Sequence, residues 1–172
     1  MEKLIATLLI YIGANTGYDV SRVTPPEIRL ITAQEMTDEY YRGSDATRPE
    51  SGIDTRIFAL YNYGYSEEGI IFLLDPQLND DLTSETVNKD ETLFDRTKTL
   101  EQEWLENPVF QKQLLHELIR HVQYQTEAAS QFPCSGYGER EAYHLGREFL
   151  HQRHVTDPQP NRNVLAYMYS WC

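Results

Sequence analysis

Apolar residues recur at helical spacing from the start of the chain. Leu4, Leu8 and Ile12 lie four apart with Ile5 and Leu9 beside them, which predicts a helix over residues 2–15 that ends near Gly17. Pro25 and Pro26 then forbid helix, and the alternation through Ile28, Leu30 and Thr32 predicts a strand. A short helix is expected from Ala33 to Tyr41, followed by the polar loop "YRGSDATRPESGID", punctuated by Gly43, Pro49 and Gly52. Two β-rich runs in "TRIFALYNYGYSEEGIIFLLD", separated by "YGYSEEG", predict an antiparallel hairpin at the centre of the sheet.

The period is lost after Asp75. Residues 76–107 read as an acidic insertion, its first part on the surface and a short helix in "TKTLEQEWLEN". Asn107 before Pro108 then signals a helix start, because Asn caps free N–H groups and Pro is tolerated in the first turn. That helix is expected over 108–127, and after the break "ASQFPCSGYG" a second one over 138–153. The tail, 155–172, holds Pro158 and Pro160, should be extended at first, and ends in an aromatic segment expected to pack on the domain. The pattern gives a single α+β domain over 1–172, a small antiparallel-rich sheet packed against the helix pair, with no internal repeat.

Composition narrows the function. At 172 residues, with 40% hydrophobic and 12% aromatic residues, the chain can build a core. A formal charge of -12 repels phosphate backbones and anionic headgroups, so nucleic acid and membrane are excluded as expected partners and a peptide or protein remains. The apolar stretch after Lys3 fits either a secretory signal or a core helix. Its weakly charged start, interrupted by Tyr11 and Asn15, favours the core helix and a cytoplasmic setting, with secretion the alternative. Cys134 and Cys172 fit either two free thiols or one bridge.

The stretch "LLHELIRHVQ" carries the chemistry. A catalytic zinc wants three protein ligands and an open position for water, and a helix supplies two ligands when they stand four residues apart, about 400° around the axis. In H-E-x-x-H the Glu is the general base on the metal-bound water. His116 and Glu117 fill the first two roles, but position 120 is Arg120, which stays protonated and offers a metal no lone pair. His121 comes one residue late, about 140° away on a regular helix.

The order "GYDV…PPEIRLI", "FALYN…GIIFL", "LLHELIRHVQ", then a Cys and "EREAYHLGREFL" resembles the minigluzincins, small single-domain relatives of the gluzincin zinc peptidases. The match covers roughly residues 4–150 apart from the acidic stretch. The resemblance implies His116 and Glu141 as zinc ligands and Glu117 as catalytic base. Arg120 departs from the family pattern at the middle ligand.

Competing expectations follow. The Arg120 guanidinium stands in for the metal's charge and pairs with Glu141, Glu117 or both, or it turns to solvent. His121 joins a metal site if the helix carries a π-bulge, and otherwise packs on the helix flank. His144, three residues after Glu141, is an alternative third ligand or a surface residue. Tyr143 and Tyr124 are oxyanion donors or packing groups, and the hairpin edge is a strand-addition surface or plain core. The leading expectation is a degenerate zinc-peptidase-like protein, metal-free, with a binding or regulatory role. The alternatives are an active metallohydrolase with an atypical zinc site of His116, Glu141 and His121 or His144, and a plain interaction protein.

Overall fold

The computed structural model describes residues 1–54, 56–64, 66, 68–75, 106–169 and 171. The acidic stretch 76–105, where the insertion and its short helix are expected, lies outside the described residues, as does Cys172. The other cysteine, Cys134, has its sulfur in a disulfide.

The elements run α1 (Glu2–Thr16), β1 (Glu27–Ile31), α2 (Ala33–Tyr40), β2 (Ala59–Asn62), β3 (Ile70–Leu74), α3 (Pro108–Gln125), α4 (Ser135–His151) and α5 (Asn161–Tyr169). The fold is α+β. α1 buries Leu4, Ile5, Leu8, Leu9 and Ile12, the residues at helical spacing, and stops at Gly17 in the left-handed region. α2 opens with a reciprocal cap: Thr32 accepts from the Glu35 amide while the Glu35 carboxylate accepts from the Thr32 amide. α3 starts as its sequence signals, with Asn107 accepting from the amides of Val109 and Phe110.

The sheet order is β1-β3-β2. β2 and β3 form the expected antiparallel pair, with Asn62 opposite Ile70, and β1 joins in parallel, with Glu27 opposite Ile70. The sheet is therefore mixed, and only the second arm of the hairpin is central. β3 is buried on both faces, which is why it reads as a continuous apolar run rather than an alternating one. Ile71 and Leu73 face the core built by α1, α3 and α4, while Ile70, Phe72 and Leu74 pack with Ala33 and Met36 of α2 and with Phe58.

α4 begins at Ser135, three residues before the sequence signal, and its first turn has no side-chain cap. The tail departs further from expectation. It is non-helical through Pro160, as expected, and then forms α5, a helix that no sequence signal had suggested. Proline restricts only itself and its predecessor, so a helix can start immediately beyond it.

α3 and α4 pack closely. Gly138, Ala142 and Gly146 put small residues on the α4 face turned to α3, and the guanidinium of Arg120 and the stem of Lys112 lie over the two glycines. Lys112, 6% exposed, places Nζ 2.8 Å from both carboxylate oxygens of Asp157 and so ties α3 to the segment after α4.

Candidate functional site

His116, Arg120 and Gln123 fall at positions i, i+4 and i+7 of α3, within one narrow stripe of a regular helix. The stripe meets α4 at Glu139. His116 Nε2 lies 3.1 Å from Glu139 Oε2, and Arg120 Nε lies 3.0 Å from Oε1 of the same carboxylate. One acid thus joins the first motif His to the residue at the missing-ligand position. Burial pushes the Glu139 carboxyl up, but the hydrogen bond and charge of His116 and the charge of Arg120 outweigh it and hold the group below its ordinary value.

Arg120 Nη1 donates to Gln123 Oε1 at 2.5 Å. This position requires the glycine at 138. A Cβ there would stand 1.8 Å from Nη1 and 2.6 Å from Gln123 Oε1. Gln123 is fully buried, and its Nε2 donates to the Gly138 carbonyl at 3.2 Å and to Glu141 Oε2 at 2.7 Å. Tyr18 donates to the same Glu141 oxygen at 2.6 Å. Burial, then the bond to Glu141, raises the Tyr18 phenol far above its ordinary value. A continuous polar chain therefore runs His116, Glu139, Arg120, Gln123, Glu141, Tyr18.

The structure assigns the partner of Arg120 to Glu139, neither Glu141 nor Glu117. Two residues along a helix are about 200° apart, so Glu139 and Glu141 leave α4 on different sides. Glu117 turns to the sheet, where Oε2 accepts the Tyr61 amide of edge strand β2 at 2.9 Å. Burial raises the Glu117 carboxyl and the charge of Glu139 adds to this, against the charges of His116 and Arg120 and the Tyr61 bond.

His121 is fully buried and both ring nitrogens are engaged. Nε2 donates to the Thr24 carbonyl at 2.7 Å and Nδ1 accepts from the Tyr61 hydroxyl at 3.2 Å, which fixes one neutral tautomer. Burial lowers its pKa. No π-bulge interrupts α3, so His121 takes the flank position of a regular helix. Burial also pushes the Tyr61 phenol up to about 12, the neighbouring Tyr124 adding to the effect. His144 is exposed and lines a hollow on the Glu141 side of α4. The Tyr143 ring packs 4.4 Å from that of His116, and Tyr124 stacks on Tyr63 at the surface.

A resident zinc would need three donors around one point. His116 and Glu139 supply two, Arg120 can supply none, and Glu141, Glu117 and His121 are turned to Tyr18 and Gln123, to Tyr61, and to Thr24 and Tyr61. Among the described residues no three His, Cys, Asp or Glu side chains converge. Among the described residues, His116 and Glu139 as folded are joined by no third donor of the kind a three-ligand zinc centre needs.

Sequence reasoning missed Glu139, Gly138, Gln123 and Tyr18. The first two carried a signal: Glu139 precedes Ala142 and Tyr143 at helical spacing, and Gly138, Ala142 and Gly146 repeat every four residues. Tyr18 stood in the quoted "GYDV" segment, but nothing local tied it to the α3–α4 pair. In comparisons with known proteins, no family model, no curated protein and no solved structure matches this chain.

Proposed function

We propose that the chain is a degenerate zinc-peptidase-like domain in which an internal ion cluster takes the place of the metal, leaving a binding or regulatory role toward a peptide or protein. The observation that carries this reading is the pairing of one carboxylate, Glu139, with both His116 and Arg120. The guanidinium supplies a fixed positive charge at the residue position where the motif would place its second ligand, and a bound cation beside it would be repelled. Glu117, in the position of the general base, is occupied as the acceptor of a strand-edge amide. Its role in this reading is to hold β2 against α3.

The test is metal content by mass spectrometry after dialysis against zinc, for the parent chain and for Arg120→His. The parent is expected to hold no stoichiometric zinc. The variant is expected to take about one per chain through its new imidazole, His116 and Glu139. One tightly held zinc in the parent, or a folded Arg120→His variant that stays metal-free, overturns the proposal.

A further inference from the structure

On the side of α4 reached by Glu141, an open hollow of about 330 Å³ lies between the end of α1 and α4. Its lining includes Phe132, Tyr137, Glu141, His144 and Leu145. Both hydrogen bonds to Glu141, from Tyr18 and Gln123, fall on Oε2. Among the described residues Oε1 accepts none, and no Lys, Arg or His nitrogen forms an ion pair with this acid. Arg140 also borders the hollow, but its guanidinium lies over the Tyr167 ring of α5, 5.3 Å from the centroid.

A carboxylate held in place by two neutral donors, with one oxygen that accepts no bond among the described residues and aromatic residues lining the same hollow, has the chemistry that recognises an organic cation. The acidic balance of the chain raises the local concentration of such ligands. We infer that this hollow binds a primary ammonium group on a short apolar stem, the ammonium on Glu141 Oε1 and the stem against Tyr137 and Phe132. The site lies at the Glu141 end of the polar chain, two hydrogen bonds from Arg120 through Gln123, and its ligand meets none of His116, Glu139 or Arg120.

The probe is n-butylammonium, titrated into the full chain and followed by amide chemical shifts, with n-butanol as the neutral control. Saturable shifts over 137–145 are expected with the cation and not with the alcohol. Glu141→Gln should weaken binding about tenfold or more, the usual scale for losing a charge-assisted bond. Tyr137→Ala, which leaves the Tyr18–Glu141–Gln123 bonds untouched, should weaken it severalfold, and Glu127→Gln should leave it unchanged. No saturable shift, equal binding of the alcohol, equal loss in Glu127→Gln, or full affinity in Tyr137→Ala would each overturn the inference.

Discussion

Lys112 and Arg120 leave α3 about two turns apart and cross α4 over two glycines, Gly146 and Gly138, also about two turns apart. The construction is the same and the outcomes differ. At the first crossing the cation is 6% exposed and pairs with one carboxylate, Asp157, which is 11% exposed and also accepts the Gln159 amide. At the second, Arg120 is 20% exposed and shares Glu139, 34% exposed, with His116. The stem of Lys112 can bend past a new methyl group at 146, whose Cβ would stand 3.2 Å from its Cγ. The planar guanidinium of Arg120 has no such freedom at 138. A flexible ammonium paired once makes a strut, whereas a rigid fork paired several times makes a polar site that reaches solvent.

The largest effect that tests this contrast is expected from Lys112→Met. It leaves a nearly buried Asp157 with the Gln159 amide but no cation, and removing one partner of such a pair costs about 3 kcal/mol in urea unfolding. Arg120→Met should cost less, about 1–2 kcal/mol, because Glu139 is partly exposed and keeps His116, while the buried Gln123 Oε1 loses its donor. Equal costs would erase the distinction. Next comes Gly138→Ala, expected to destabilise by about 2 kcal/mol through overpacking, set against Gly146→Ala, expected within about 0.5 kcal/mol because helix propensity offsets a small shift of the lysine stem. A harmless Gly138→Ala would mean that the guanidinium is free to leave.

The smallest effect is a pH dependence of two opposite signs. Glu139 is held below its ordinary value of 4.5, so the stability it contributes is present above that pH and lost as pH falls through the lower folded value. Glu117 is held above 4.5, so its contribution is present below that pH and lost as pH rises through the higher folded value. Melting temperatures at pH 7 and pH 3 should therefore show Glu139→Gln costing more at pH 7. Glu117→Gln, which keeps an acceptor for the Tyr61 amide, should be more favourable at pH 7 than at pH 3. Shifts of the same sign in both variants would refute the assignment.

The same contrast separates what could be read from the chain beforehand. Periodicity, caps and breakers placed α1, α2, α3 and the hairpin, because these depend on residues within a turn or two of one another. The parallel pairing of β1 with β3 depends on partners far apart in sequence, and α5 follows the proline-marked segment without a cap signal of its own. At the site, the helix face of His116 was legible from spacing, and so was the misfit of Arg120. Which carboxylate of "EREAY" meets it was not, because Glu139 and Glu141 differ by a rotation of α4 that packing over Gly138 decides.

One consequence of the sheet order concerns how the chain folds. β2 meets β3 across a short connection and α3 meets α4 across one brief turn, so both pairs can close locally and quickly. β1 reaches β3 only by closing a loop of roughly forty residues, a cost that grows with the logarithm of loop length. On loop length alone the β2–β3 pairing is the less costly to close, and β1 is expected to join β3 after it, an order that φ-values for Ile28 and Leu60 would check. α2 follows β1 directly through the reciprocal Thr32–Glu35 cap, so the strand that pairs with one edge of β3 also brings the helix that covers its second face.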